Sequence, residues 1–303
     1  RVDAPGHLDE FDPLAPGDEV LATDLEYGAC EAAWQRACDR QGAFYRRVTI
    51  PLPYDPAQAL ERLLAAITPR TRLLFVSHIT SATALTLPVQ ALCAAARERG
   101  IATLIDGAHA PGQIDLAIDA IGADFYVGNA HKWLCAPKGS GFLQARPEHH
   151  ARLDATVVSW GYTEARPGDE AYLGRGPFER RLQWQGTRDL SAWLAVPSAI
   201  AFQARHDWPA VRQRCHALAR HAHDELIHRH GLPPLTSEAN WAQMMAIPVP
   251  AQDAGELQRR LWEESRIEVP VTTHAGQVFV RVSVQGYNTA DDVDRLLAAP
   301  ALR

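Results

Sequence analysis

Lysine is almost missing. Of 30 basic residues only Lys132 and Lys138 are lysines, leaving 28 arginines against 36 acidic residues and a net charge of −6. No cluster of basic residues rises above that acidic background, which excludes an electrostatic footprint for nucleic acid. No apolar run is long enough to cross a bilayer and no secretory signal opens the chain, so no membrane partner is expected. The five cysteines are an odd number without pairing spacing. They exclude a disulfide framework and point to a reducing, cytoplasmic compartment. Methionine is confined to Met244 and Met245 while residue 1 is Arg, so a segment upstream of this sequence is expected. What is present, 303 residues with 47% hydrophobic and 22% charged, suffices for one large domain and a smaller one.

The lysine shortage carries information. Arginine replaces lysine cheaply at a surface, but not where an amine must lose its proton and attack a carbonyl, because guanidinium stays charged. Both lysines lie in one short segment, AHKWLCAPKG.

Along the chain, residues 1–17 read as loop. Strands are expected at 19–23, 44–50, 72–77, 101–106, 124–128 and 141–145, with helices at 29–40, 56–67 and 89–99. Near-continuous apolar strands alternating with helices argue for an α/β domain with a largely parallel sheet covered on both sides. Residues 157–186 have no clear period and read as loops near a site. A long helix at 191–206 and a second ending near Gly231 follow. Strands at 244–249 and 277–284 and helices at 255–264 and 291–299 then suggest a small α+β domain. The expected division is 1–205 for the large domain and 206–303 for the small one.

Ligands of open α/β sheets sit outside the carboxyl ends of the strands. Two of those ends are chemically loaded. IATLID ends in Asp106 and runs on to His109, and DFYVG runs on to His131 and Lys132. An amine, a carboxylate and imidazoles at one edge are what a pyridoxal phosphate site needs. Each has a bland rival: a strand-ending Asp, satisfied core histidines, and an Arg281 that simply alternates outward. Lys138, after Pro137, reads as a loop residue. His221, Glu225 and His228 share a helical face but read as solvated, so no metal is expected.

The segments DGAHAPGQ and GADFYVGNAHKWLCAPKGSGFL resemble the class V aminotransferase family of fold-type I pyridoxal phosphate enzymes. Within it they are similar to the isopenicillin N epimerase-like and cysteine desulfurase-like group. PGDEVLATDLEYGAC, TPRTRLLFVSHITS, QWQGTRD, RIEVPV and FVRVSVQGYNT extend the likeness from about Pro16 to Leu297. The resemblance implies a homodimer acting on an amino acid at Cα, with pyridoxal 5'-phosphate as cofactor. It implies Lys132 as Schiff-base lysine and proton carrier, Asp106 as partner of the pyridine nitrogen, and His109 near the ring hydroxyl. His131 matches a phosphate contact and Thr187 a phosphate contact supplied across the dimer interface. Arg281 matches the clamp on the substrate carboxylate, a bidentate task suited to guanidinium. Ser77 and His78 lie near the site.

The departures are informative too. Residues 1–15 do not resemble the family's phosphate-binding segment. Leu25 stands where many relatives carry His, which leaves ring stacking to Tyr27. SATA, opening at Ser81 among the expected cofactor contacts, replaces a more usual S-P-T-G turn. A persulfide-type desulfurase needs a cysteine on a mobile loop, and none lies between Cys135 and Cys215. Cys135 itself reads as a packing residue. Epimerisation, C–S lysis and transamination stay open. So does the alternative of an impaired homologue acting as scaffold or partner subunit.

Overall fold

The computed structural model describes residues 14–162 and 176–303; most of the loop expected at 1–17 therefore lies outside the described residues. The chain begins with strand β1 (Glu19–Thr23), helix α1 (Gly28–Gln41), β2 (Phe44–Val48), α2 (Pro56–Ala65) and β3 (Thr71–Ser77). It continues through α3 (Val89–Arg97), β4 (Ala102–Asp106), α4 (Ile118–Ile121), β5 (Phe125–Asn129) and β6 (Gly141–Ala145). The strands pair in the order β2-β1-β3-β4-β5-β6. All pairings are parallel except β5 with the edge strand β6. That exception follows from the chain: β5 and β6 are joined without a crossover helix, and a parallel return needs one.

Helices on both faces explain the apolar runs. Every residue of β1 is buried. Leu21, Leu74, Ile105 and Tyr126 pack with Leu63 of α2 and Leu92 of α3, while Val20, Ala22 and Phe75 pack with Cys38 of α1. Local signals set the helix ends. Asp55 caps α2 by accepting from the Gln58 N–H, with Pro56 at the first turn, and Gly42 ends α1 at φ +69°.

The remaining elements are α5 (Pro177–Gln183), α6 (Ser191–Leu194), α7 (Val196–Arg205), α8 (Trp208–His230), β7 (Met244–Val249), α9 (Ala254–Ser265), β8 (Val271–His274), β9 (Gln277–Ser283) and α10 (Ala290–Ala298). The antiparallel sheet β7-β9-β8 lies against α8 through Cys215, Ala219, Ala222 and Leu226, and against α9 through Leu257 and Leu261. The two layers meet at Leu235, Ala246 and Phe279, which join the core of the large sheet.

Three expectations change. The long helix at 191–206 is two helices, because Pro197 can only start a helix and interrupts the pattern. The aperiodic stretch 157–186 contains α5, opened by Pro177 at its first turn, while 163–175 lie outside the described residues. Finally, β8 was not expected, since VTTH carries no apolar run; it forms by pairing with β9.

Candidate active site

Strands β1, β3, β4 and β5 end side by side. In the order β2-β1-β3-β4-β5 the chain passes from one side of β1 to the other. The crevice at the carboxyl ends of β1 and β3 is thus a topological switch point. Its floor is polar and buried. Glu26, just past β1, accepts the Ser77 N–H at 2.8 Å and the Ser77 Oγ–H at 2.6 Å on one oxygen, and the Thr23 hydroxyl at 2.5 Å on the other. Burial pushes this carboxyl up to about 7; the bonds from Ser77 and Thr23 oppose the rise and Asp106 adds to it. Next to Ser77, His78 lies 2.9 Å from the Tyr126 hydroxyl and donates its backbone N–H to the Asp106 carbonyl. Burial lowers its imidazole to about 4, so it is neutral at neutral pH.

Asp106 is the last residue of β4. One carboxyl oxygen accepts the Ala108 N–H at 2.9 Å and the other faces Cys30 Sγ at 3.8 Å. The chain after it is held by two close approaches. A Cβ on Gly107 would lie 2.2 Å from the buried Tyr126 ring, and one on Gly112, where φ is +85°, would lie 2.5 Å from the Trp133 carbonyl. Glycine at both positions lets the loop after β4 press against β5 and the loop that follows it.

That contact brings His109 to Lys132. Lys132 Nζ is 3.1 Å from His109 Nε2, and the Trp133 indole N–H donates to His109 Nδ1 at 3.2 Å. Burial draws the Lys132 amine below its ordinary range; Asp106 pulls the other way and Arg281 adds to the fall. His109 is lowered to about 3, by burial first and then by Lys132 and Arg281. Arg281, on β9, donates from Nη1 to the Ser81 carbonyl at 2.7 Å and to the Ser81 hydroxyl at 3.3 Å. Its buried Nε–H has no hydrogen-bond partner among the described residues. A half-buried guanidinium with an unused donor suits a carboxylate guest.

The structure thus brings together Lys132, His109, Asp106 and Arg281, with Ser81 holding the arginine. His131 is half-buried and donates Nδ1–H to the Ser140 carbonyl at 3.0 Å. Tyr27 is exposed at the start of α1. Thr187 is exposed after Gly186, and no hydrogen bond joins it to the lysine group among the described residues. Leu25 is a core residue. Cys135 is not the packing residue expected: it is exposed, on a turn where its φ is +61°. Lys138 is exposed in its loop, and the His221, Glu225 and His228 face is solvated. Among the described residues no three His, Cys, Asp or Glu side chains converge on a metal position.

Sequence reading missed Glu26, Cys30, Tyr126 and Trp133. The adjacency of Trp133 to Lys132 was the available signal for the indole. Glu26 gave none, because a glutamate in a loop looks solvated until its strand neighbours are known.

The profile of the class-V aminotransferase family matches residues 6–296. The chain belongs to that family. It is similar to isopenicillin N epimerase of Streptomyces clavuligerus, with 42% identity over 94% of this chain and 73% of the relative. It is also similar to a putative L-cysteine desulfhydrase of Oryza sativa subsp. japonica, 29% identical over 92% of this chain and 63% of the relative. Among solved structures it resembles the cysteine desulfurase CsdA of Escherichia coli, at TM-score 0.77 and 21% identity, covering 94% of this chain and 72% of that one. The fold is accordingly fold-type I. Family membership makes the protein a pyridoxal-phosphate-dependent enzyme acting at the Cα of an amino acid.

The residues fit that cofactor. Among the described residues the Asp106 oxygen facing Cys30 has only a thiol, at 3.8 Å, so it keeps capacity to accept from a protonated ring nitrogen. Lys132 offers an amine already drawn toward its neutral form.

Proposed function

We propose that Lys132 is the lysine that holds pyridoxal phosphate, that Asp106 and His109 orient the ring, and that Arg281 receives the substrate carboxylate. One observation carries the reading: the half-buried Lys132 amine lies 3.1 Å from His109 Nε2, within electrostatic reach of Asp106 and Arg281. Pyridoxal phosphate, when bound, supplies an electron-withdrawing ring that stabilises negative charge at Cα. The chain does the rest. Asp106 would accept the hydrogen bond of a protonated ring nitrogen. Lys132 Nζ, which burial draws toward its neutral form, would take and return the Cα proton. Arg281, anchored on Ser81, aligns the carboxylate and so fixes which Cα bond faces the lysine. His131 and the partner copy's Thr187 are assigned to the phosphate, and Tyr27 to the ring face.

We favour epimerisation as the outcome, on the strength of the 42% identity to the Streptomyces clavuligerus epimerase. We disfavour a persulfide route, although a cysteine desulfurase is among the similar structures. The sequence has no cysteine between Cys135 and Cys215, and Cys135 Sγ lies 3.4 Å from Gln285 Nε2 on a tight turn. We place the protein in the cytoplasm as a homodimer. Five free cysteines favour that compartment. Exposed Val157, Val158, Leu190, Trp193 and Leu194, around Thr187, favour the second copy. We set the domain boundary near residue 205, before the α7–α8 break at Asp207.

The test is proton exchange. With pyridoxal phosphate in deuterium oxide, amino acids are followed by NMR for loss of Cα–H and by chiral chromatography. Exchange with interconversion of enantiomers is expected. Release of sulfide or an oxo acid would reassign the outcome to lysis or transamination, and no exchange by cofactor-loaded protein would contradict the reading.

A further inference from the structure

The contact between Trp133 and His109 reaches further than packing. An indole N–H is a donor and never an acceptor, so a bond to His109 Nδ1 requires that nitrogen to be bare. The single proton of neutral His109 must then sit on Nε2, the nitrogen 3.1 Å from Lys132 Nζ. An ammonium has three donors and no acceptor. Facing an Nε2–H it would set hydrogen against hydrogen, whereas a free amine accepts that proton in a hydrogen bond. The opposite arrangement, an ammonium donating to a bare Nε2, would put Nδ1–H against the indole N–H and leave a buried donor unpaired.

We infer that Trp133 is a positioning residue that locks His109 in the Nε2–H tautomer and thereby selects the neutral, nucleophilic form of Lys132. The inference rests on the assignment of Lys132 as the cofactor lysine.

Trp133 is held firmly enough to do this. Its side chain is buried with Ile79, Ala84, Ala110 and Met244. Its carbonyl accepts from Gln203 of α7 at 3.0 Å and from Gln285, just past β9, at 3.3 Å. Gly112 lies against its backbone, and Gln113 donates to the His109 carbonyl at 2.7 Å. Both sheets therefore fix the pair. The effect is present before any cofactor binds, which makes it measurable in the cofactor-free protein.

The test has two arms. In cofactor-free protein carrying 15N-histidine, the His109 signals are assigned by their loss in His109→Gln. A protonated Nε2 and a bare Nδ1 are expected; a protonated Nδ1 overturns the lock. In the second arm benzothienylalanine replaces Trp133, keeping the ring's shape with sulfur in place of N–H. His109 should become a tautomer mixture. Reductive methylation of Lys132 with formaldehyde and cyanoborohydride, measured against Lys138 in the same peptide map, should fall roughly fivefold, the worth of one hydrogen bond. An unchanged tautomer with an unchanged ratio overturns the inference. If a pyridoxyl label instead maps away from Lys132, the histidine signals are unaffected, so failure of the cofactor-lysine assignment is distinguishable from failure of the lock.

Discussion

The two sheets of this protein are built on opposite terms. The carboxyl edge of the large sheet encloses polar groups: Glu26, Ser77, His78, Asp106 and His109 are all buried. The small sheet β7-β9-β8 packs a large apolar cluster that includes Leu226, Leu257, Leu261 and Val280, and apart from Arg281, which faces the site, it carries exposed pairs such as Arg260–Glu264 on α9. Such solvent-screened surface pairs add little to stability, so that layer is held by hydrophobic burial. The site layer instead keeps buried carboxyl and imidazole groups that burial disfavours in their charged forms. It offsets that cost with Ser77, Thr23 and Tyr126 as partners. Chemistry and stability are divided between the layers.

Substitutions can break or sharpen that contrast. The largest effect belongs to Lys132→Ala, which should lower Cα–H exchange at least about a thousandfold, roughly 4 kcal/mol in barrier, with the melting temperature little changed. Lys138→Ala should leave exchange intact. Gly107→Ala should do the reverse, costing about 3 kcal/mol in denaturant unfolding because its Cβ meets the Tyr126 ring.

Glu26→Gln is next. The folded carboxyl titrates at about 7 rather than 4.5, so its protonated form contributes stability that is complete below pH 4.5 and lost as pH rises through 7. The glutamine variant should therefore match the wild type near pH 4 and exceed it by about 3 kcal/mol at pH 8.5, read from urea midpoints. A stability difference independent of pH would mean that Glu26 is an ordinary charged partner. The smallest effect is expected on α8. Replacing Glu225 and His228 together with alanine should change stability by less than about 0.5 kcal/mol, with or without zinc or a chelator.

Much of the site was legible because its residues end strands. Apolar runs located β3, β4 and β5, and the rule that ligands sit at carboxyl ends turned the last two into a candidate site containing Asp106, His109 and Lys132. The lysine shortage sharpened it, since guanidinium cannot replace an attacking amine and Lys138 after Pro137 reads as a loop residue. What stayed hidden depends on contacts between distant segments. Glu26 meets Ser77 across 51 positions, and Ser81 meets Arg281 across 200. No local pattern encodes those distances. The SATA turn lies between these cases. The loss of glycine was visible in the sequence, and Ala84 does take the left-handed conformation, φ +57°, that glycine would adopt freely. Thr272 and Arg281 hold that turn from the small sheet by bonds to the Ala82 and Ser81 carbonyls, a constraint legible only once the two sheets are in contact.

The most direct test asks which amine holds the cofactor. Protein loaded with pyridoxal phosphate is reduced with borohydride and its two lysine-containing positions are compared by peptide mapping. Loss of the near-visible absorbance with the pyridoxyl group on Lys132, and none on Lys138, is the predicted result. A label on Lys138, or absorbance that resists borohydride, would contradict the account.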